Sequence, residues 1–156
     1  MRFFFLALFT LIFFGCSLKQ LDQKETKIAL IKSPKIRYND IAYLKHNDDT
    51  IELQMYNAGV GIGKISIGYM VCIKDGCITK SRFNKEFLEQ HYPDDILKHI
   101  LLAQPIYNAK NLQKTQQGFI QRIKTPFSDI VYRVTQKEIF FKDKKNHIII
   151  KLKDVK

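Results

Sequence analysis

Residues 51–79 read IELQMYNAGVGIGKISIGYMVCIKDGCIT, and this stretch decides the fold class. Ile51, Leu53 and Met55 alternate with Glu52, Gln54 and Tyr56, the period of two that marks a half-buried strand. Asn57-Ala58-Gly59-Val60-Gly61-Ile62-Gly63 follows as a glycine-rich connection. Beyond it Ile65, Ile67, Tyr69 and Val71 share one face, and Lys64, Ser66, Gly68 and Met70 share the other. Lys74-Asp75-Gly76 then turns the chain back into Cys77-Ile78-Thr79. Strands joined by tight turns pair antiparallel, because parallel neighbours need a crossover of about a dozen residues or more.

Upstream, Ile36, Tyr38, Ala42 and Leu44 alternate with polar neighbours, and His46-Asn47-Asp48-Asp49 makes a turn. Downstream the period becomes helical. Ser81 is a good N-cap, and Phe83, Phe87 and Leu88 form one stripe of a short helix ending near His91. Pro93 and Asp94 open a second helix carrying Ile96, Leu97, Ile100 and Leu101, and Pro105 stops it. Residues 107–117 read as a polar loop. Strands return at 118–124, 129–135, 138–142 and 147–155, with Asp143-Lys144-Lys145-Asn146 as the last hairpin turn. The expected class is α+β: a curved antiparallel sheet, a half-barrel of about seven or eight strands, with both mid-chain helices covering its concave face.

The chain opens with Met1-Arg2 and runs from Phe3 to Phe14 with only Thr10 breaking an apolar stretch, then reads Gly15-Cys16-Ser17. One positive charge, a short apolar run and a small residue have the layout of a secretory signal. The run falls short of the roughly 20 apolar residues that span a bilayer. Phe13-Phe14-Gly15-Cys16 resembles the lipobox of bacterial lipoproteins, with Phe13 where that family usually has Leu, and with Leu11 and Ile12 just upstream. The resemblance implies that residues 1–15 are removed and that Cys16 becomes a lipidated N-terminus. Two or three acyl chains hold stably where one holds only marginally. Ser17, in place of the Asp that tends to retain such proteins at the inner membrane, implies the outer membrane, facing the periplasm. Residues 16–34 are then a lipidated cysteine and tether, flexible over 17–27, and residues 35–156 form one domain.

The sequence holds 26 basic and 15 acidic residues, a formal net charge of +11. The lysines are spread along the chain, which reads as a solvated surface with attraction to anionic headgroups; export argues against nucleic acid. Cys72 and Cys77 flank the Ile73–Gly76 turn. Direct pairing across a hairpin gives a disulfide in an oxidising compartment, whereas a shifted register leaves two free thiols. As a zinc half-site the pair lacks a second ligand pair. The glycine run lacks the Lys-Ser/Thr of a phosphate loop and precedes a strand; it reads as a bulged hairpin, with Val60 and Ile62 as candidates for touching lipid. His46, His91, His99 and His147 are scattered, Asp48-Asp49 and Asp94-Asp95 suit a turn and a helix start, and no catalytic constellation, metal site or cofactor site stands out beyond the covalent lipid on Cys16.

The order of elements over residues 51–106 resembles the middle of LolB, the outer-membrane receptor of lipoprotein localisation: a strand ending in a glycine turn, a hairpin, a helix after Thr79-Lys80-Ser81, and a helix closing on Ala103-Gln104-Pro105. Ile148, Ile150 and Leu152 in residues 127–155 resemble that family's closing strands. The resemblance implies an open half-barrel whose apolar cavity binds acyl chains. Its lining here would be Ile65, Ile67, Tyr69 and Val71 on the sheet, with Phe83, Phe87, Ile96 and Ile100 on the helices. Two functions follow as expectations: a non-catalytic carrier of acyl chains, with lipoproteins or a periplasmic carrier as partners, or a structural or assembly lipoprotein with a filled core and a protein partner.

Overall fold

The computed structural model describes residues 23–74 and 76–155. The signal segment, Cys16 and the first part of the expected tether lie outside the described residues. Among the described residues eleven strands form one sheet: β1 (Gln23–Lys32), β2 (Arg37–His46), β3 (Ile51–Asn57), β4 (Val60–Ile67), β5 (Val71–Ile73), β6 (Gly76–Ile78), β7 (Leu112–Thr115), β8 (Gly118–Lys124), β9 (Asp129–Thr135), β10 (Glu138–Asp143) and β11 (Ile148–Asp154). Their spatial order is β6-β5-β4-β3-β2-β1-β11-β10-β9-β8-β7, and every pairing is antiparallel. Two helices, α1 (Lys80–Phe87) and α2 (Ile96–Leu101), sit between the two edge strands in sequence.

This corrects the expected architecture on two counts. The strands number eleven rather than seven or eight, and the sheet is open. The helices, of eight and six residues, are too short to cover a sheet of that width. They cap part of the inner face, where Phe83, Ile96 and Ile100 join the sheet residues in one buried cluster.

The strand signal missing from the sequence lies in β1, read above as tether. Ala29 and Ile31 point to the core, but Glu25 and Lys27 share that inner face near the end of the sheet. An alternation of charge in place of apolar groups hides a strand whose backbone pairs along its whole length with β2. Far from being a tether, β1 holds the middle of the sheet, between β2 and β11. Likewise β7 lies in the segment read as a polar loop, and as an exposed edge strand it has no apolar face to show.

Inner-facing residues Leu44, Ile51, Leu53, Ile123, Tyr132, Phe141, Ile148 and Ile150 are all at most 2% accessible. The β3–β4 hairpin turns at Ala58 and Gly59, both with positive φ, and carries a bulge between Met55 and Tyr56. The Tyr38 hydroxyl fills the gap that the bulge opens: it accepts from the Tyr56 amide at 3.0 Å and lies against the Ile41 carbonyl. The helix N-cap is Thr79, whose side chain accepts from the Arg82 amide, two residues before the expected Ser81.

Candidate functional site

The sheet's inner face opens to solvent at one end, in a cleft of about 580 Å³ between the ends of β1, β2, β10 and β11 and the C-terminal end of α2. Its floor is apolar and closed: Leu44, Leu101 and Leu152 are each at most 2% accessible. Its rim is charged, with Glu25, Lys27, His46, Lys98, Lys137 and Asp154 around the opening. The Lys27 ammonium lies 2.6 Å from Asp154 and 2.5 Å from Glu25. Burial works against its charge, but hydrogen bonds to Asp154 and Glu25 outweigh that and hold the pKa above the ordinary lysine value. Four of the rim groups, Glu25, Lys27, His46 and Asp154, thus form one linked set of charges. A hydrocarbon chain entering here would have to pass this charged mouth, at a cost in desolvation.

The eight residues expected to line an apolar cavity divide unevenly. Ile65, Ile67, Val71, Phe83, Ile96 and Ile100 are each at most 3% accessible and belong to one packed cluster. A space wide enough for an acyl chain would leave its walls accessible to water, and these side chains are not. Phe87 is partly buried at the edge of the cluster, its ring stacked 4.8 Å from that of Phe83. Tyr69 is a correction: it is 97% exposed. The expected strand through residues 64–71 ends at Ile67, and Gly68–Met70 form a tight turn closed by the Gly68 amide on the Met70 carbonyl at 2.9 Å. Ile67 then pairs with Val71, so the period of two continues across the turn on two different strands.

Cys72 and Cys77 are direct cross-strand partners on β5 and β6 and are joined by a disulfide. It staples the three-residue strand at one edge of the sheet.

Three buried polar groups, none expected as functional from the sequence, hold the helical segment: Asn84 within the segment, Gln121 and Asp143 to the sheet. Asn84 on α1 donates to the Pro93 carbonyl at 3.0 Å. Gln121 on β8 accepts from the Ile106 amide at 2.8 Å and donates to the carbonyls of Ile106 and Lys110 at 3.0 and 2.7 Å. Asp143 on β10 accepts from the Tyr92 hydroxyl at 2.7 Å. Gln121 and Asp143 do carry a signal, since each is a polar residue at an inward-facing strand position. The turn that Gln121 grips is strained: Tyr107, Asn108 and Ala109 all have φ between 49° and 59°, a left-handed run of three non-glycine residues.

Among the described residues no group of His, Cys, Asp and Glu converges as a metal site, and no helix is long and apolar enough to cross a membrane. No protein-family model, curated protein or solved structure matches this chain.

Proposed function

We propose that this protein is a lipid-anchored, non-catalytic lipoprotein of the bacterial envelope, most simply at the outer membrane, that presents a rigid sheet to a protein partner or assembly. The signal-like residues 1–15 and the lipobox-like Phe13-Phe14-Gly15-Cys16 support the anchor. The Cys72–Cys77 disulfide accords with an oxidising compartment. One observation carries the choice between the two expected functions: six of the eight residues that would line a carrier's cavity, Ile65, Ile67, Val71, Phe83, Ile96 and Ile100, are buried together in one packed cluster. A filled interior favours an interaction module over a carrier of acyl chains.

Titration of the full chain with a fluorescent fatty acid tests this reading. The interaction module gives no saturable uptake. Saturable binding at one ligand per chain, abolished by Ile100→Trp with the fold retained, would establish a carrier instead.

A further inference from the structure

The register of the sheet places an unusual pattern on its outer face, the side away from the core. One row crosses the strands as Lys32 (β1), Ile149 (β11), Lys142 (β10), Val131 (β9) and Arg122 (β8). The adjacent row reads Leu30, Lys151, Phe140, Arg133 and Ile120 on the same five strands. Cations and apolar side chains therefore alternate along each strand and across each row, a checkerboard of five and five with no carboxylate in it. Arg133 lies over the Phe140 ring at 5.4 Å. Every apolar member is half-buried.

Charge on this face is lopsided well beyond the checkerboard. Outward positions across the sheet hold eleven Lys or Arg against three carboxylates (Glu52, Asp129 and Glu138), so this face alone carries an excess of eight of the chain's +11. Glu138 borders the checkerboard and pairs with Arg133, Lys151 and Lys153 at 3.2, 3.3 and 3.7 Å. Asp129 borders the other side, opposite Lys124 and diagonal to Arg122 and Lys142, whereas Lys32 has no carboxylate opposite it on either neighbouring strand.

We infer that this outer face docks on an anionic phospholipid bilayer. A polyanion in solution would engage only the cations. A bilayer interface engages both colours of the checkerboard: phosphates meet the ammonium and guanidinium groups, while Leu30, Phe140 and Ile149 meet the layer just beneath. The inference rests on the anchor proposed above for its geometry. Cys16 precedes Gln23 by seven residues, which reach at most about 25 Å, so the central strand is held close to whatever membrane carries the lipid. That reach lets the face settle onto the surface, and at contact, within about one Debye length of 8–10 Å, the charge excess orients the domain.

The test uses the full protein extracted from its membrane in detergent and reconstituted into vesicles of phosphatidylcholine, with and without phosphatidylglycerol. Acylation of individual lysines by a water-soluble reagent is read by mass spectrometry, with Lys110 and Lys114 as references. Lys32, Lys142 and Lys151 should label about fivefold more slowly on phosphatidylglycerol vesicles than on neutral ones, and the protection should vanish in molar salt. Lys142→Glu/Lys151→Glu should lose the protection at Lys32. Equal labelling on the two vesicles overturns the inference, as does protection by a soluble oligonucleotide but not by vesicles. Failure of the anchor reads differently: the chain then leaves neutral vesicles altogether, while the face still binds anionic ones on sedimentation.

Discussion

The Tyr92 hydroxyl donates to the buried carboxylate of Asp143 at 2.7 Å, joining the helical segment to the β10–β11 corner across 51 residues of sequence. Asp143 also accepts from the amides of Asp129, Lys145 and Asn146 and from the Asn146 side chain, so one carboxylate organises the turn and docks the helices. Burial would raise its pKa, but these hydrogen bonds outweigh burial and hold it below the ordinary aspartate value.

Tyr92→Phe should therefore cost about 1–2 kcal/mol, and Asp143→Ala about 3 kcal/mol because it orphans several buried donors, both read from urea denaturation. The sign of the pH effect follows from a depressed carboxylate. Its contribution is fully present above the ordinary aspartate range and is lost as pH falls through the lower folded-state value. Asp143→Asn should flatten that acid limb, and an unchanged limb contradicts the assignment.

Gln121 holds the strained turn at Tyr107–Ala109 with three hydrogen bonds. Gln121→Leu should destabilise by about 2–3 kcal/mol and speed amide exchange at Ile106 and Lys110. Ala109→Gly should do the reverse, gaining about 0.5–1 kcal/mol, since glycine adopts the left-handed conformation without the Cβ penalty.

Two glycines with positive φ separate backbone conformation from steric contact. A Cβ on Gly118 would stand 2.2 Å from the Val134 carbonyl oxygen, in the β8–β9 ladder, whereas one on Gly59 meets nothing within 4 Å. Gly59→Ala should cost about 1 kcal/mol and Gly118→Ala at least about 2 kcal/mol by thermal denaturation. Equal costs would mean that the ladder yields at Gly118.

Reduction of the Cys72–Cys77 disulfide should act locally. The loop it closes spans a sequence separation of 5, and β6 is an edge strand. Loop-closure entropy bounds the loss at about 2 kcal/mol. Hydrogen exchange should rise over Val71, Ile73 and Ile78 while protection at Leu53 and Ile150 persists.

The antiparallel class was legible because Ile51, Leu53, Ile65 and Ile67 alternate cleanly toward the core. What escaped notice follows from polar groups in core-facing places. Glu25 and Lys27 hide the start of β1 because they face each other and Asp154 at the cleft, and β7 hides because an edge strand needs no apolar face. The period of two puts Tyr69 on the inner face because it holds across a tight turn, which alternation alone cannot reveal. The helices' apolar stripes say which face is buried, not how much sheet lies beneath, so the extent of their cover is not legible. Candidate cavity residues and core residues look alike in sequence, since both are apolar and inward-facing.

The central claim is a lipid-anchored protein whose sheet is filled by its own side chains. Native mass spectrometry of the protein taken from its membrane tests it most directly. The account predicts a chain beginning at Cys16, heavier by its covalent acyl groups and carrying no other lipid. A chain that still begins at Met1, or one that holds a stoichiometric non-covalent lipid, would contradict it.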